Sequence, residues 1–182
     1  MKKVLALLLG LHMLLSLIAC GSSSEGPADG ATLWVENDAF VCNAQDLIDV
    51  LNDEIENTGD SRYLSIPDFE GSGEKIVIDD STFNGLILVL ETNDEGFVTK
   101  ITVEWTTFRE TLERINTCGL LIGRLVGSIA PEQAEEIYLQ LDFDASGTPE
   151  YTTMTSANGT DFVYSYHTSG MYQSMNIFPT VE

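Results

Sequence analysis

The sequence predicts an α+β fold, a single antiparallel sheet with its helices packed on one face. Three observations carry that expectation. Apolar residues recur at helical spacing in residues 43–57, 109–126 and 131–141. Runs rich in Val, Ile, Thr and aromatics, several of them strictly alternating, fall into two groups of three. Turn signals separate them, and Asn158-Gly159 between alternating segments is the strongest short hairpin signal in the chain. The element order is therefore α-βββ-αα-βββ.

The first helix, residues 43–57, has Asn43 as its cap and Asp46 three residues on in the reciprocal position. Leu47, Val50, Leu51 and Ile55 share one side, and Thr58-Gly59 ends it. Residues 62–66 are a candidate short strand outside the two groups of three, followed by a turn-rich connection over 67–73. Residues 75–78, 86–91 and 98–105 read as strands, with Asn93-Asp94-Glu95-Gly96 as the hairpin loop between the last two. In the third, Ile101, Val103 and Trp105 face one way and Thr102 and Glu104 the other, as in a sheet with one wet face. The second helix begins at Arg109 and runs to about Val126. Its Gly119, Gly123 and Gly127 recur every fourth residue, and each interior glycine costs up to about 1 kcal/mol relative to Ala, so a close packing contact, or a helix break near Gly119, is expected there. Pro131 is placed for the first turn of a third helix, residues 131–141. Strands at 151–156, 162–167 and 171–178 end the chain. This order resembles that of β-lactamase-inhibitor-like and TATA-binding-like domains of exported bacterial proteins. The resemblance is one of element order; it implies two α-βββ halves in one sheet and carries no site residues.

The N-terminus has a different character. Lys2 and Lys3 precede an apolar run, residues 4–18, broken only by Gly10, His12 and Ser16. That is the pattern of a secretory signal, too short for a comfortable membrane span. At its end, Leu17-Ile18-Ala19-Cys20 resembles the lipobox of bacterial lipoproteins. The resemblance implies cleavage before Cys20, diacylglyceryl modification of its thiol, and a membrane anchor. Buried acyl chains contribute about 0.8 kcal/mol per methylene, so two or three of them hold a protein firmly. Gly21 in place of Asp is permissive for the outer membrane, so the anchor sits in the cell membrane or the outer membrane, with the protein facing outside the cytoplasm. Residues 1–19 are then the signal peptide. Residues 20–32, with Gly, Ser and Pro, form the lipidated cysteine and a flexible tether. Residues 33–182 form a single domain.

Charge narrows the function classes. The chain has 29 acidic and 8 basic residues. With Lys2 and Lys3 in the leader, residues 20–182 carry a net charge of −23. Such a surface repels nucleic acid and anionic lipid, which leaves the covalent lipid as the membrane contact. With Cys20 modified, Cys42 and Cys118 remain. An exported compartment permits a disulfide between them. It would close a loop of 76 residues, worth about 4 kcal/mol in the chain-entropy model.

Candidate chemistry is sparse. His167 is the one histidine after the leader, and no G-x-S-x-G or H-E-x-x-H motif occurs. Asp142, Asp144, Ser146, Gly147, Thr148 and Glu150 occupy positions of a calcium loop, but Thr153 replaces the closing Glu and a strand follows. The same residues suit a polar Asx turn. No resident cofactor is expected besides the lipid, and calcium at this turn is the one candidate ion. Tyr164, Tyr166 and Tyr172 are the candidate binding aromatics, and they equally suit the core of a half-buried sheet. The expected function is that of a lipid-anchored binding or interaction module of the bacterial cell envelope, without enzymatic activity, whose partner is a protein or a small molecule. The alternative is a lipid-anchored solute- or calcium-binding protein.

Overall fold

The computed structural model describes residues 31–60, 63–73, 75–78, 85–106, 112–141, 150–167 and 172–180. The fold class is the expected α+β. Helix α1 spans Ala44–Asn57. Its cap is the expected one, with Asn43 Oδ1 accepting the Asp46 N–H at 2.9 Å, which satisfies one of the donors a helix start leaves open. Ala44, Leu47, Ile48, Leu51 and Ile55 are its buried side. Ile48 takes the core place expected of Val50, which is only half-buried.

Strands β1 (Val35–Glu36) and β2 (Ala39–Phe40) form a small hairpin before α1. Sequence reading had placed no strand here. Its turn residues Asn37 and Asp38 both take positive φ, 52° and 61°, a conformation these two residue types tolerate better than most. The main sheet comprises β3 (Lys75–Val77), β4 (Ile87–Thr92), β5 (Val98–Thr106), β6 (Glu150–Ala157), β7 (Thr160–His167) and β8 (Tyr172–Pro179). Its spatial order is β3-β4-β5-β8-β7-β6, and every neighbouring pair is antiparallel. The last strand thus lies at the seam between the two groups of three. Asn158 and Gly159 turn β6 into β7 with φ of 50° and 69°, and Ala157 pairs with Thr160 across them.

Helix α2 spans Leu112–Ile129 and α3 spans Ala134–Leu141, joined through a 3-10 turn at Pro131–Gln133. Leu121 and Leu125 of α2, Ile137 and Leu141 of α3, and Leu47, Ile48 and Leu51 of α1 share one apolar cluster with Leu88, Leu90, Ile101, Val103, Phe162, Met175 and Ile177 of the sheet. Register puts those sheet residues on one face: Ile101 pairs with Ile177 and Ile177 with Phe162. The other face carries Thr102, Glu104, Ser174, Asn176, Val163 and Ser165. Arg124 of α2 meets Glu54 of α1 at 2.7 Å, a partly exposed ion pair of modest worth.

Two expectations need correction. Residues 63–66 form no strand. Side chains occupy their backbone groups instead: Leu64 N–H donates to Thr117 Oγ1 at 2.9 Å, and Asn52 both accepts from Ile66 N–H at 2.8 Å and donates to its carbonyl at 2.9 Å. A backbone tied to two helices in this way has nothing left for a ladder. The glycine stripe of α2 is also not a close-packed seam. Only at Gly123 would an added Cβ meet anything, the Tyr138 hydroxyl at an ordinary 3.7 Å, and the helix runs unbroken through Gly119.

Candidate functional site

Two tight turns frame an open cleft. One is the β1–β2 turn. The other is the β4–β5 turn, where Asn93 Oδ1 accepts the N–H groups of Glu95 and Phe97, each at 3.0 Å, and Gly96 takes φ of 86°. The two turns are held side by side by the chain between β2 and α1. Val98 N–H donates to the Cys42 carbonyl at 3.0 Å, and Asn43 bridges Phe97. The space between them is about 460 Å³, lined by Glu36, Asn37, Ala39, Phe40, Val41, Asn93, Asp94, Glu95 and Phe97.

The lining has two halves. Phe40 is wholly buried and makes an apolar floor, while the Phe97 ring is 36% exposed at the rim. Glu36, Asp94 and Glu95 are exposed carboxylates, and among the described residues no Lys or Arg lines the cleft. Three like charges over a low-dielectric floor create a negative potential that draws cations inward. An aromatic face beside them adds a cation–π partner. The cleft therefore suits a basic group on an apolar stem.

The residues singled out from sequence lie elsewhere. Tyr164 is in the core, 2% exposed. Its ring stacks on Trp105 and meets Tyr151 edge-on, at centroid distances of 6.2 and 6.3 Å. Its hydroxyl donates to Gln173 Oε1 at 2.9 Å. Tyr166 is half-buried against the same core. Tyr172 pairs with His167 in register, on the opposite face. Burial pushes its phenol up from the usual range, and the hydrogen bond and charge of Glu104 raise it further. The three tyrosines do not share one surface: Tyr164 and Tyr166 pair with Met175 and Gln173 on the helix-covered face, and Tyr172, one residue out of step with Gln173, leaves β8 on the other face.

Cys42 and Cys118, the partners of the expected bridge, are both buried. Cys42 lies on the chain entering α1, its Sγ donating to the Asn43 carbonyl at 3.3 Å, and Cys118 lies within α2. Each is accommodated in the apolar cluster as a small hydrophobic residue. Alkylation after denaturation without reductant tests the expected bridge: a mass lower by two hydrogens and resistance to labelling support it, and labelling of both thiols removes it.

Cys20, Asp142, Asp144 and Ser146 lie outside the described residues. Glu150 opens β6 and is exposed. Among the described residues no three His, Cys, Asp or Glu side chains converge as metal ligands, and no helix is long and apolar enough to cross a membrane. Sequence reading took Asn93–Gly96 as a mere loop and missed the cleft. The Asn37-Asp38 dipeptide was the available signal, since adjacent Asn and Asp mark a turn with positive φ. No family model matches the chain, and neither does any curated protein or solved structure.

Proposed function

We propose that this chain is a lipid-anchored binding module of the bacterial cell envelope, facing outside the cytoplasm, whose cleft between the β1–β2 and β4–β5 turns takes a basic segment of a partner protein. The observation that carries this reading is the cleft itself, with carboxylates at Glu36, Asp94 and Glu95 around the exposed Phe97 ring. Charge of the same sign over the whole molecule steers a basic partner toward it and turns acidic ones away. The tether and the Leu17-Ile18-Ala19-Cys20 motif support an anchor at a membrane surface.

Short basic peptides carrying Lys and Arg among apolar residues test the cleft. Calorimetric titration at low salt is expected to show binding that weakens as salt rises. Neutralising the cleft in Asp94→Asn/Glu95→Gln is expected to weaken binding by roughly tenfold, about 1.4 kcal/mol. Both positions are exposed turn residues, so melting temperature should stay close to the parent's. Equal affinity of parent and variant for these peptides, or for acidic ones of the same length, would remove the cleft from the reading.

A further inference from the structure

Among the described residues, nothing pairs with the long outer edge of the main sheet. β6 pairs with β7 on one side only, whereas the opposite edge strand, β3, has three residues. A short edge is one way proteins keep sheets from joining; charged residues, proline and bulges are others. Over Glu150–Ala157, β6 contains no Lys, no Pro and no break in register, and its one charge is Glu150 at the end.

The hairpin decides which backbone groups of this edge are open. Ala157 and Thr160 flank a two-residue turn, so they form the hydrogen-bonded pair that closes it. Bonded and non-bonded pairs alternate along an antiparallel ladder. Glu150, Thr152, Met154 and Ser156 therefore direct N–H and C=O away from β7. Those four residues are the exposed ones of the strand, with Met154 61% exposed. Helix α3 reaches β6 through side chains, the hydroxyls of Thr153 and Thr155 donating to Gln140, and so meets it away from this row of backbone groups.

We propose that β6 is the joining edge of a homodimer, in which two copies pair antiparallel about a two-fold axis through Thr153. A second copy fits better than a foreign strand for two reasons. The axis keeps residues of one parity together, so the covered and open faces both continue across the twelve-stranded sheet. It also sets Glu150 opposite the neutral Ser156 of the second copy, and Thr152 opposite Met154, which uses all four outward residues and brings no two carboxylates face to face. The net negative charge opposes approach of the copies, so the dimer should strengthen as salt rises, the reverse of the expected behaviour of the basic peptides.

Sedimentation equilibrium of the full chain in neutral detergent at moderate salt is expected to return twice the chain mass. A mixture of Thr152→Cys and Met154→Cys chains is expected to give a reducible crosslinked dimer under mild oxidant, where the parent gives none. Met154→Pro removes one outward N–H on each copy and is expected to raise the dimer dissociation constant roughly tenfold or more. Met154→Lys, which leaves the backbone donor in place, should weaken it as well. A parent chain monomeric at all concentrations overturns the proposal, including the case in which β6 takes only a foreign strand. So does a dimer that neither crosslinks in the mixture nor responds to folded Met154→Pro or Met154→Lys.

Discussion

Truncating Phe162 to alanine is expected to cost about 3–5 kcal/mol of folding stability. Phe162 is 0% exposed in the middle of β7 and pairs with Ile177 of β8. It is held by the main sheet below and by the helical layer above, so the space left behind cannot close without shifting both. The loss has two parts, the transfer of the ring from water and the cavity that remains. For a chain of this size, a cost in that range lowers Tm by the order of 10 °C. Val163→Ala is the internal comparison. Val163 is the next residue of the same strand but points to the open face and is only half-buried, so it should cost about 1 kcal/mol or less. Thermal melts of the two variants decide the matter. Equal losses would mean that the two faces of β7 are not distinguished as described.

Cys20→Ser is expected to have the largest effect on where the protein resides. Without a thiol at position 20 no diacylglyceryl group can be attached, and the favourable transfer of tens of methylenes, about 0.8 kcal/mol each, is absent. Acyl labelling should be lost and the protein should appear in the soluble fraction after cell breakage. The domain should melt close to the parent, because the apolar cluster that joins the helices to the main sheet is built from residues between Leu33 and Ile177. A Cys20→Ser chain that remains labelled and membrane-bound would end the lipobox reading.

What could be read from the sequence was local. The Asn43 cap, the apolar side of α1 and the Asn158-Gly159 turn each depend on residues a few positions apart, and all three are present, with Ile48 in place of Val50 on the buried side of α1. Non-local features were hidden. Nothing near Tyr172–Pro179 indicates that β8 inserts between β5 and β7, because that choice is made by residues on three separated strands. Residues 63–66 have the composition of a strand, yet Asn52 and Thr117, from two different helices, occupy their backbone groups. The cleft joins Glu36–Val41 to Asn93–Phe97, more than fifty residues away, so no window of sequence contains it. Tyr172 was a different kind of miss. It is one position out of step with Gln173 and Met175, and Met175 and Ile177 are core residues. Parity alone placed it on the other face.

The position of β8 bears on how the protein is made. Synthesis delivers β3, β4 and β5 first, then β6 and β7, and the strand that welds the two groups comes last. Until it arrives, β5 and β7 each expose an unpaired edge, and the pairings that close the sheet span most of the chain. Such long-range closure is slow and leaves the nascent chain sticky. Under the proposed export this timing would be an advantage: a polypeptide whose sheet closes only when β8 is delivered stays threadable through a translocon until then.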